Sequence, residues 1–167
     1  GHVVVVQILD YPSKVEQATG RIVRVIGDPH DKGIATDIAI HSHSIPTEWP
    51  KAVGEEIRHY GKTVPSAAKK GRVDLRDVDL VTIDGADARD FDDAISLQRL
   101  DNGHWRLGVH IADVAHFVPV GSPLDRESRE RATSVYLPSR VIPMLPELIS
   151  NGLASLQPRK VRYAKKA

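Results

Sequence analysis

Residues 94–114 constrain the fold more tightly than any other stretch. "AISLQRL" and "HWRLGVHIADV" flank "DNG", a strong signal for a tight turn between antiparallel strands. In the second run Trp105, Leu107, Val109 and Ile111 alternate with Arg106, Gly108, His110 and Ala112. A period of two predicts a strand with one apolar face, which the core is expected to cover. A second hairpin is predicted at the front, where "VVVVQIL" and "TGRIVRVIG" are separated by the turn-prone "DYPSK". Two strands cannot bury a core alone, so this pair reads as the end of a small β-barrel whose other strands are missing.

The helices are fewer. "TEWPKAVGEEIRHYG" predicts one with Thr47 as its cap, Pro50 in the first turn, Val53, Ile57 and Tyr60 on one stripe, and Gly61 as its stop. "GSPLDRESRERATS" predicts another, with Ser122 as the cap, Pro123 at the first position and Asp125 completing the capping pattern. "IATDIAIHSHSIP" reads as a weak strand or coil, "KTVPSAAKKGR" as a linker and "LVTID" as a strand. Four prolines between Val135 and Pro158 forbid a long helix there and leave a tethered loop before a short helix near 146–151. The class is α+β.

Composition excludes more than it assigns. With no cysteine there is no disulfide framework and no thiolate zinc site. A formal net charge of +1 argues neither for nor against a nucleic-acid partner. No apolar run is long enough to span a bilayer, and the opening "GHVVVVQILDYP" lacks the basic start and cleavage site of a signal peptide. The expectation is a cytoplasmic protein without a membrane partner.

Against this background "VTIDGADARDFDDAISL" stands out: Asp84, Asp87, Asp90, Asp92 and Asp93 fall within ten residues, beside predicted buried strands. Two unit charges about 4 Å apart repel by roughly 4 kcal/mol at an effective dielectric near 20. Converging carboxylates therefore call for a proton or a bridging cation. Hard oxygen ligands point to Mg²⁺ or Mn²⁺. In an extended chain Asp90 and Asp92 share a face and Asp93 points to the other, so convergence requires a turn near Gly85. Residues alone leave two readings, a cation site and a solvated acidic loop with Arg89 as its partner.

"TIDGADARDFDDA", "WRLGVHIADVAHFV" and "PLDRESRERATSVYLPSRVIPMLPELISNGLASLQP", in that order, resemble the opening of the RNB catalytic domain of the ribonuclease II and ribonuclease R exoribonucleases. Residues 1–27 are similar to the end of the cold-shock, OB-type domain that precedes it in that family. The resemblance implies cold-shock strands over 1–27, a connecting segment with one helix over 28–72, and the first part of the catalytic domain over 73–167. It implies Asp84, Asp90 and Asp93 as magnesium ligands and Asp92, with Asp90, as the carboxylates nearest the chemistry. Asp87 matches none of the four positions. The implied reaction is hydrolysis of single-stranded RNA from its 3′ end, releasing 5′-mononucleotides, with Tyr136 packing against terminal bases. Read without the family, Tyr136 is better taken as a core tyrosine with a satisfied hydroxyl.

The same resemblance expects more catalytic domain beyond this chain, including a second stacking aromatic and an arginine that stabilises the transition state. A chain of this length alone is therefore expected to be weakly active or inactive, with self-association through exposed strand edges. The alternative is a non-catalytic RNA-binding or interaction module. His110, Asp113 and His116 resemble a ligand triplet, but residues three apart on a strand face opposite ways, so they read as structural. The basic end "RKVRYAKKA" reads as frayed.

Overall fold

The computed structural model describes residues 1–167, which separate into two compact units: 1–48 with 136–142, and 49–135 with 143–167. The architecture is mixed α+β, with antiparallel sheets and few helices.

In the first unit β1 (Val3–Asp10) and β2 (Thr19–Gly27) form an antiparallel ribbon. Its register shifts three times, between Val3 and Val4, Val5 and Val6, and Ile8 and Asp10. The strands approach closely at Gly20, where a Cβ would lie 2.6 Å from Val6 Cγ1. The ribbon stays open: Val6, Ile8, Ile22, Val23 and Val25 are all exposed. It does not close into a barrel.

The segment after it departs from expectation. Ile34–Ser42 is a helix, α1, where the isoleucines and threonine suggested a strand or coil. Gly33, at φ 88°, turns the chain into the helix, and Asp37 in its first turn complements the dipole. Burial of Ile40 decides against β propensity. The proline-rich path after Ser134 is a hairpin of β5 (Val135–Leu137) and β6 (Arg140–Ile142), and Arg140 reaches Asp37 of α1 at 2.5 Å.

The second unit holds the main core. Helix α2 runs Lys51–Ile57, beginning at Pro50 and not at Thr47, because the proline lacks the N–H that a longer helix would use. Val53 is buried, with Ile57 and Tyr60 packed beside it. Helix α3 (Pro123–Arg131) starts as its sequence predicts: the Ser122 hydroxyl accepts from the Asp125 N–H at 3.1 Å. Glu56 of α2 accepts from the Leu124 N–H at 2.8 Å, so one helix supplies a cap for the other. The Arg131 guanidinium sits 3.6 Å from the Trp49 ring centroid.

A three-stranded antiparallel sheet completes the unit, in the order β3 (Asp93–Arg99), β4 (Trp105–Ala112), β7 (Ala164–Lys166). Gly103, at φ 83°, makes the β3–β4 turn. The alternation is as predicted, but the covered face is the opposite one. Ala94, Gly108, His110 and Ala112 are buried, whereas Trp105 is 60% and Leu107 57% exposed. The core side is tight: a Cβ on Gly108 would lie 2.5 Å from Ser96 Oγ. Small residues permit that approach, and large ones are forced to the other side.

Two further expectations fail for related reasons. The "frayed" end is built in, because β7 pairs with β4 and Tyr163 is buried against Phe117 in a stacked pair with centroids 6.2 Å apart. The "linker" is anchored, with Val64 buried, a 3-10 turn at Ser66–Lys69, and Arg72 both paired with Asp113 at 2.7 Å and 4.2 Å from the Tyr163 centroid. "LVTID" contributes a single bridge, Val81 to Ile95, and no strand. The short helix predicted near 146–151 is a π-helix at Ile149–Leu153, with both ends buried.

Candidate active site

The aspartate segment lies wholly in the second unit and leads into β3. A turn closed by the Ala88 N–H on the Gly85 carbonyl, at 3.0 Å, supplies the reversal that convergence requires. From there the backbone is held on both sides. The Ser155 hydroxyl donates to the Arg89 carbonyl at 2.7 Å and accepts from the Phe91 N–H at 3.1 Å. The Leu156 N–H donates to the Phe91 carbonyl at 2.9 Å, and the Ala112 N–H to the Asp92 carbonyl at 2.8 Å. Four consecutive peptide units beside the acids are thus fixed by bonds to residues distant in sequence. Such second contacts keep site residues in place before any ligand arrives.

Ser155 was not singled out from the sequence, and no local pattern there would have done so. It is 0% exposed, and the Arg162 guanidinium in turn donates to its carbonyl at 2.9 Å.

The electrostatics select four of the five aspartates. Burial, followed by the carboxylates of Asp90, Asp93 and Asp84, raises the Asp92 carboxyl above its ordinary pKa. Asp87 is not among the causes. Asp84, Asp92 and Asp93 take part in none of the ion pairs of the chain. A field of this kind fits a hard divalent cation. The side chains are not gathered around a point: no three acidic or histidine groups approach closely enough to enclose a metal ion. Donor type and charge therefore fit Mg²⁺, while the closed ligand shell is not formed.

Tyr136 lies in β5, within the other unit, and is 67% exposed, which rules out the core-tyrosine reading. His110, Asp113 and His116 are structural. His110 Nε2 is 2.9 Å from Ser96 Oγ, Asp113 is paired with Arg72, and the His116 ring packs edge-on to Phe117 and Tyr163. Burial and then Lys166 lower the His110 pKa, and its Nδ1 has no hydrogen-bond partner.

The RNB domain model matches residues 72–166, and the cold-shock domain model matches residues 1–50. The chain belongs to the RNB family. Ribonuclease R of Escherichia coli (strain K12) is 55% identical over 159 residues, covering 95% of this chain and 20% of that protein. The chain thus spans about a fifth of that relative's length. Among solved structures, Mycoplasma genitalium RNase R in complex with ribose methylated single-stranded RNA superposes with a TM-score of 0.88 at 32% identity, over 98% of this chain and 25% of that one. Yeast Ssd1, a pseudonuclease, shares the fold with a TM-score of 0.71 at 21% identity, over 96% of this chain and 20% of that one. No helix is long and apolar enough to cross a membrane.

Proposed function

We propose that this chain is the catalytic-centre portion of a magnesium-dependent 3′-to-5′ exoribonuclease that hydrolyses single-stranded RNA to 5′-mononucleotides. The observations that carry this reading are the RNB domain match over residues 72–166 and the proximity of Asp84, Asp90 and Asp93, whose charges help to raise the Asp92 carboxyl. Asp84, Asp90 and Asp93 hold the cation, with Mn²⁺ as a substitute, and Asp92 with Asp90 stands nearest the scissile phosphate. When bound, divalent cations supply an activated water and a counter-charge for the departing oxygen. The chain's own part is to fix Asp90, Asp92 and Asp93 through the backbone bonds at Arg89, Phe91 and Asp92, and to stack a terminal base on Tyr136.

The organisation proposed is cold-shock strands over 1–27, a connecting segment over 28–72 and the first part of the catalytic domain over 73–167, in a cytoplasmic enzyme. Little or no activity is expected of this chain alone. The exposed apolar face around Trp105 and Leu107, together with open strand edges, favours self-association. A monomer whose sedimentation is independent of concentration would contradict that expectation.

A second reading, a non-catalytic module, draws on the likeness to yeast Ssd1, a pseudonuclease. Shortening of 5′-labelled single-stranded RNA from its 3′ end in Mg²⁺ decides for the enzyme, and divalent-cation binding that ignores the aspartates decides for the module. Any shortening from the 3′ end should disappear in Asp92→Asn. Shortening that persists in that variant, or that needs no divalent cation, would overturn the assignment.

A further inference from the structure

The second unit contains a cavity of about 740 Å³ whose lining is strongly cationic. Lys62, Lys69, Arg89, Arg159, Lys160 and Arg162 line it, and Glu147 is the one acid among the lining residues. None of the six cations enters an ion pair. Six cations against one acid give the lining a net positive charge, which attracts an anion. The walls are built. Arg162 is tied to the Ser155 carbonyl, Gln157 donates to the Asn151 carbonyl at 2.7 Å, and Arg159 is held at φ 59°, a conformation that non-glycine residues seldom adopt.

The cavity adjoins the candidate active site through one residue. Arg89 lies between Asp87 and Asp90, with its carbonyl held by Ser155, and it is also one of the residues that line the cavity. A polyanion approaching four carboxylates is repelled by them, so a neighbouring cationic cavity gives it a place to bind.

We propose that this cavity is a phosphate-binding site for a segment of RNA strand, separate from the aspartate centre. The inference rests on the ribonucleic acid reading above. Six cations drawn from three separate parts of the chain exceed what a single phosphate neutralises, which favours consecutive phosphates over a free mononucleotide. Arginine and lysine contacts of this kind hold the backbone without reading the bases.

The test is fluorescence anisotropy of a short, fluorescein-labelled single-stranded RNA in EDTA, at several salt concentrations. Arg159→Glu combined with Lys160→Glu, and separately Lys62→Glu, are compared with the unaltered chain. A control carries the same charge change elsewhere, at Lys51 and Arg106. The double cavity variant is expected to lose about tenfold in affinity and to flatten the salt dependence by about one phosphate contact per cation removed. The control is expected to bind as the unaltered chain does. Cavity variants that bind like the unaltered chain would overturn the proposal while leaving the exoribonuclease reading to its own cleavage assay. Displacement of the strand by adenosine 5′-monophosphate at matched phosphate concentration would overturn the strand in favour of a single nucleotide.

Discussion

The β1–β2 ribbon and the β3–β4–β7 sheet begin from similar sequence: apolar alternation interrupted by a turn. They end differently. The ribbon leaves both faces open, with Ile22, Val23 and Val25 exposed, whereas the sheet buries Ala94, Gly108, His110 and Ala112 against a core containing Phe117, Leu124 and Tyr163. The aspartates enter from the buried sheet's first strand. Alternation identifies residues that share a face, but the neighbours decide which face is covered. A rigid carboxylate site needs the covered kind.

The largest expected effect sharpens this contrast. Phe117→Ala, in the core of the second unit, should cost about 3–5 kcal/mol in a urea melt. Ile22→Ala on the exposed ribbon should cost less than about 1 kcal/mol, since little apolar surface is removed from contact. Equal costs would show that the ribbon is as well packed as the sheet.

Next comes Ser155→Ala. It removes a buried hydroxyl that serves both the Arg89 carbonyl and the Phe91 N–H, so a loss of about 1–3 kcal/mol is expected in the same melt. Amide exchange at Phe91 should accelerate more than exchange at Leu107 in the β3–β4 hairpin. Uniform acceleration would mean that Ser155 supports the whole unit and not the aspartate segment.

A smaller effect is a pH dependence on the sheet's buried face. His110 faces Ser96 and feels Lys166, and its folded pKa lies below the ordinary value. The unfolded chain then binds the proton more readily than the folded one. This contribution to stability is therefore level above about pH 6.5, the ordinary histidine value, and falls as pH drops from there towards the folded pKa. His110→Gln should lose that slope. A slope unchanged by the substitution would assign it to other groups.

The smallest effect is on the sheet's open face. Leu107→Lys should change stability by no more than about 0.5 kcal/mol, because the side chain is already exposed. It should lower any self-association seen in sedimentation.

These contrasts also show what was legible from residues. The cap at Ser122 and the DNG hairpin depend on local chemistry and spacing, and they could be read directly, whereas the choice of four aspartates among five came from the family resemblance. Helix α1 could not, because its formation turns on the burial of Ile40 and on the docking of Arg140, about a hundred residues away, on Asp37. The covered side of the sheet followed from tight packing at Gly108, which a hydrophobic pattern points away from. Ser155 and the built-in C-terminal strand depend on contacts across more than about fifty residues. Long-range hydrogen bonds leave no periodic trace in sequence.

The central claim is that Asp84, with Asp90, Asp92 and Asp93 on a pinned backbone, forms a divalent-cation site. The most direct test is a Mn²⁺ titration of the chain followed by electron paramagnetic resonance, alongside Asp93→Asn and Asp87→Asn. The account predicts saturable Mn²⁺ binding that weakens at least about tenfold in Asp93→Asn, through the loss of one charged ligand, and stays unchanged in Asp87→Asn. Equal weakening in both variants, or none in either, would contradict it and return the segment to a solvated acidic loop.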